Sequence, residues 1–100
     1  MPGFHDHVRA ALDSLPPDLS RKLENVAVVV EDENAEEPEL FGLFDQPEYM
    51  PATITIYRRP LEETFPDPDE LEEEIRITVL HELAHYFGID EDRLADLGYD

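Results

Sequence analysis

Asp67-Pro68-Asp69-Glu70-Leu71-Glu72-Glu73-Glu74-Ile75-Arg76-Ile77-Thr78-Val79-Leu80-His81-Glu82-Leu83-Ala84-His85-Tyr86-Phe87-Gly88 reads as one long helix with both ends marked. Asp67 is placed as the N-cap and Pro68 as the first helical residue, where its missing N–H costs nothing. Glu70 is placed to complete a capping box. Gly88 supplies the residue that can take a left-handed conformation without steric cost, so the helix should stop at about Phe87. Its length would be near 30 Å. Ile77, Leu80, Ala84 and Phe87 lie along one stripe, widened by Val79 and Leu83, so most of this helix should face other protein.

Working outward, Val26-Ala27-Val28-Val29-Val30 is a β-branched apolar run of the kind found in a strand buried on both faces, and it is taken as the central strand. Thr53-Ile54-Thr55-Ile56-Tyr57 alternates polar and apolar residues, the pattern of a half-exposed strand, and fits an antiparallel edge. Leu40-Phe41-Gly42-Leu43-Phe44 is read either as a short strand or as a loop in contact with substrate. Phe4, Val8, Ala11, Leu12 and Leu15 recur at helical spacing up to Pro16-Pro17. A last short helix is expected over Glu91 to Leu97, closed by Gly98. The whole is an α+β arrangement: one compact domain over residues 1–100, with a small mixed β-sheet packed against the long helix.

The chain has 100 residues, enough for one modest core. Seven basic residues against 26 acidic ones give a formal charge of -19, which repels phosphate backbones and anionic lipid surfaces. Nucleic acid and membranes are therefore not expected as partners. Cysteine is absent, which excludes disulfides, thiolate nucleophiles and Cys-ligated metals. The N-terminus, Met1 to His7, has neither a basic start nor an apolar run, so the expected location is the cytoplasm. His5 and His7 diverge on a helix, cannot share a metal there, and are read as surface residues.

His81-Glu82-Leu83-Ala84-His85 is an H-E-x-x-H motif inside the best-marked helix of the chain. Residues four apart lie one turn along the same face, so both imidazoles can reach a single ion. Glu82 points to the flank of that face, where it can act as a general base without occupying the metal. A catalytic zinc wants a third protein ligand. An acid two dozen residues further on does not fit the 15 residues that follow His85. The extended pattern with glycine three residues after the second histidine does fit, and it makes Glu91 the candidate ligand, with Asp90 and Asp92 as neighbours able to take its place. In a chain of this composition the five-residue motif arises by chance in about 2 of 100 cases, and roughly 2 of 10,000 once Gly88 and an acid at position 91 are included.

His81-Glu82-Leu83-Ala84-His85-Tyr86-Phe87-Gly88-Ile89-Asp90-Glu91-Asp92-Arg93-Leu94 resembles the signature of the minimal zincin-like metallopeptidases, small bacterial proteins. The resemblance extends through Ile54 to Leu61 and through Leu12 to Pro17. It implies a zincin-like fold, zinc (Zn2+) as cofactor, and a site formed by the helix and the turn after it. The members of that family carry Asp more often than Glu at the third-ligand position. The activity implied is peptide-bond hydrolysis, with Tyr57, Arg58 and Tyr99 as candidate oxyanion partners and a peptide added as a strand along Thr53 to Tyr57. The expected partner is a peptide or protein substrate, for which the charge favours a basic one, and the expected state is a monomer. The competing readings are a non-catalytic metal-binding or adaptor protein on the same scaffold, and an acidic protein that captures basic partners.

Overall fold

The N-terminal apolar spacing forms helix α1 (Phe4–Asp13) in the computed structural model, which describes residues 3–88. It buries Phe4, Val8 and Ala11. Pro16 and Pro17 end one helix and start another: Pro17 stands at the first position of the short α2 (Pro17–Lys22), followed by a 3-10 turn over Leu23–Asn25. Strands β1 (Val26–Glu31), β2 (Gly42–Asp45) and β3 (Ala52–Tyr57) follow, then α3 (Arg58–Thr64) and the long α4 (Pro68–Phe87). Pro60 sits in the first turn of α3, where a missing backbone donor is tolerated.

The strands form one mixed sheet in the order β1-β3-β2, with β1 parallel and β2 antiparallel to β3. The strand expected at an edge is therefore the central one, and the valine run expected at the centre is an edge. The cause is that helices cover only one face of a three-stranded sheet. Even its middle strand then alternates: Ala52, Ile54 and Ile56 are buried, while Thr53 and Thr55 are only partly covered. In β1 the valines are chosen for strand propensity as much as for burial, since Val29 is 41% exposed while Val26 is buried.

Helix α4 forms between the marks read in the sequence. The Asp67 carboxylate accepts from the backbone N–H groups of Asp69 and Glu70, and Gly88 closes the helix at φ 65°, ψ 28°. Its core stripe is Leu71, Ile75, Val79 and Leu83, joined by Leu80 and Ala84 and packed with α1, Ile54, Ile56 and Leu61 in one cluster. Ile77, expected in that stripe, is only half-buried and belongs to another face. His7 is likewise no surface residue: its side chain is 12% exposed, with Nδ1 3.2 Å from Glu72 Oε1 on α4. Among the described residues no helix is long and apolar enough to cross a membrane.

Candidate functional site

Along α4 the side chains at positions 74, 77, 78, 81 and 82 share a face, since three- and four-residue steps bring side chains into register on a helix. This face turns away from the core and toward the chain leading into β2. Between them runs an open groove of about 380 Å³. Leu40, Phe41 and Gly42 form one wall, and Ile77 and Thr78 the other. His81 and Glu82 stand at one part of it, while Glu39 and Glu74 bring carboxylates to the rest.

His81 and His85 are both exposed, one helical turn apart, and the His85 side chain is 76% accessible. Glu82 between them behaves differently. Its side chain is only 17% exposed, with Oε2 3.9 Å from His85 Nδ1. Burial holds its carboxyl above the ordinary value of 4.5, and the neighbouring His85, the backbone amide of Phe44 and His81 pull partly in the opposite direction. The motif thus places two solvent-facing imidazoles beside one desolvated carboxylate. Aromatic packing holds β2 to the helix at this point, where the rings of Phe44 and Tyr86 lie 4.8 Å apart.

Gly42 sets how near β2 comes to the helix. A Cβ there would stand 2.6 Å from Thr78 Cγ2, 3.2 Å from the Thr55 carbonyl oxygen and 3.9 Å from Glu82 Cγ. In the sequence this glycine is simply one residue of the apolar stretch Leu40-Phe41-Gly42-Leu43-Phe44. Its meaning lies in an approach between segments far apart in the chain, which no local pattern encodes. The strand reading of Leu40 to Phe44 holds for Gly42–Asp45, and Leu40 and Phe41 before it line the groove.

Two candidate oxyanion partners are engaged elsewhere. Tyr57 is buried, and its hydroxyl accepts from Asn34 Nδ2 at 2.9 Å. Arg58 donates to Asp32 and Glu62, carboxylates that stabilise its charged form. The strand Thr53 to Tyr57 has β1 on one side and β2 on the other, so no peptide can add to it. Glu91, its neighbours Asp90 and Asp92, Tyr99 and the helix expected from Glu91 lie outside the described residues.

Among the described residues no group of three or more His, Asp or Glu converges on one point as a metal site would require. The donors that are described suit zinc nevertheless. Neither imidazole is held by a hydrogen bond to another described residue, both face solvent from rigid helix, and neutral imidazole is a ligand zinc favours.

No curated protein matches the chain. Residues 23–99, from the 3-10 turn before the sheet through the motif helix and beyond, match the model of the zincin-like metallopeptidase family, and the chain belongs to that family.

Proposed function

We propose that this protein is a zinc-dependent peptidase in which His81, His85 and Glu91 hold the ion and Glu82 is the general base. The observation that carries this reading is the contrast within the motif: two exposed imidazoles flank a carboxylate that is largely buried and held above its ordinary proton affinity. A carboxylate partly withdrawn from water beside two exposed imidazoles is poised to take up a proton, which is what a general base does.

Bound zinc would supply Lewis acidity, polarising a carbonyl and making a water easier to deprotonate. Glu82 takes the water proton at a carboxylate oxygen and later returns it to the nitrogen of the departing amine. His85, the Phe44 amide and His81 each act against the effect of burial on that carboxylate. The groove along Leu40 to Gly42 gives an extended peptide a path past Glu82. β2 is an outer strand, so its outer edge could also take backbone hydrogen bonds from an extended peptide.

Metal content by mass spectrometry tests the reading, on purified wild type and on a His81→Ala, His85→Ala variant. Close to one zinc per chain, lost in the variant, is expected, together with peptide cleavage that the wild type alone performs. Zinc without cleavage of any peptide in a diverse library would replace the hydrolase with a metal-binding protein. No zinc in either protein after supply and dialysis would remove both.

A further inference from the structure

The groove has a charge and a shape that its chemistry alone does not require. Its walls carry Leu40, Phe41 and Ile77, an apolar lining suited to methylene groups. Glu39 and Glu74 add two carboxylates, and no lysine or arginine is among its described lining residues. The arginines that are paired serve acids outside the groove: Arg58 holds Asp32 and Glu62, Arg59 holds Glu33, and Arg76 holds Glu73. Among the described residues neither Glu39 nor Glu74 has such an ion pair. A continuing depression lined by Glu37, Pro38, Glu39 and Leu40 extends the negative surface beyond the groove. An apolar channel whose described lining also carries carboxylates and no lysine or arginine is complementary to a long aliphatic side chain with a cationic tip.

We infer that this groove is a specificity subsite that receives a lysine or arginine side chain of a peptide whose cleavage occurs at His81 and Glu82. The inference rests on the hydrolytic reading of those residues. Distance places the basic residue. Glu74 precedes His81 by seven positions, or about 10 Å along the helix axis. An extended peptide advances about 3.3 Å per residue. The lysine or arginine therefore falls within about three residues of the cleaved bond, with its stem along Phe41 and Ile77 and its charge between Glu39 and Glu74.

The test uses the full zinc-loaded chain and peptide pairs that differ only by lysine or glutamine, scanned over three positions on each side of the scissile bond. Cleavage is followed by kcat/KM, and binding of the same peptides to the Glu82→Gln variant by fluorescence anisotropy. A Glu39→Gln, Glu74→Gln variant is compared with an Asp13→Asn, Glu24→Gln variant, which removes the same charge from exposed positions outside the groove. The expected result is a lysine preference of about tenfold at one position, lost in the groove variant and kept in the control. Cleavage with no preference, or a preference weakened equally by both variants, would overturn the subsite and leave the hydrolase intact. If no peptide is cleaved, selective anisotropy that depends on Glu39 and Glu74 would uphold the subsite and reject the hydrolase. Absence of both cleavage and selective binding would reject the two together.

Discussion

Gly42 and Thr78 face each other so closely that a methyl group on the glycine would come within 2.6 Å of Thr78 Cγ2. Ordinary side chains do not tolerate that distance, and backbone stands on another side, at 3.2 Å. Gly42→Ala is therefore expected to destabilise the fold by about 1–3 kcal/mol, the usual cost of overpacking. Thr78→Ser removes the opposing methyl and keeps the hydroxyl that donates to the Glu74 carbonyl at 2.8 Å. Added to Gly42→Ala, it should restore part of the lost Tm. Additive losses in thermal melts of the double variant would show that the contact does not govern the spacing.

Glu82→Gln preserves the shape of the side chain and removes its basicity. Peptide hydrolysis should fall by about 10²–10⁴ while zinc content stays near that of the wild type, because in the proposed arrangement Glu82 acts as base and not as ligand. Steady-state kinetics beside metal analysis checks both halves. A loss of zinc in this variant would make Glu82 a ligand and leave the general base unassigned.

The raised carboxyl of Glu82 also makes a prediction about stability in the metal-free protein. Because the folded state holds this proton more tightly than the unfolded chain does, the contribution is fully present below 4.5, the group's ordinary value, and is lost as pH rises through the folded-state value. Above that window the buried charge is a burden that glutamine does not carry. With chelator present, Glu82→Gln should melt above the wild type at pH 8, and the gap should close as pH falls toward 4.5. A gap that widens on acidification would contradict the assignment of burial as the main cause.

His81 and His85 are exposed, and neither belongs to the core. Replacing both with alanine should move the stability of the metal-free protein by no more than about 0.5 kcal/mol, as for other surface positions. Zinc should protect the wild type against thermal unfolding and leave the variant unmoved. Chelated samples melted in parallel with zinc-loaded ones separate the two effects.

How much could be read from the sequence depended on whether the signal was local. The ends of α4 were legible because Asp67, Pro68 and Gly88 act within one turn of where they stand. The motif was legible for the same reason, since helix geometry alone aligns positions 81 and 85. Strand order was not. A valine run and a Thr-Ile alternation were ranked by apparent burial, but a sheet covered on one face makes its centre alternate too, and the order β1-β3-β2 is decided by pairing across the chain. The groove was hidden likewise: Ile77 looked like core until Glu39, Leu40 and Phe41 came to lie beside it. The small helices α2 and α3 gave only proline at a first turn as their signal.

Leu83 and Ala84, between Glu82 and His85, are almost wholly buried, as is Leu80 just before His81. The motif is therefore threaded through the core, and its letters alternate between two kinds of selection. Across residues 80 to 85 a comprehensive mutational scan would find no tolerant position, with abundance lost at 80, 83 and 84 and activity alone lost at 81, 82 and 85. A lineage that abandoned the chemistry would keep the first set and let the second drift. Decay of the histidines over an unchanged Leu80, Leu83 and Ala84 is thus the fossil trace by which a retired copy of this protein could be told from a working one.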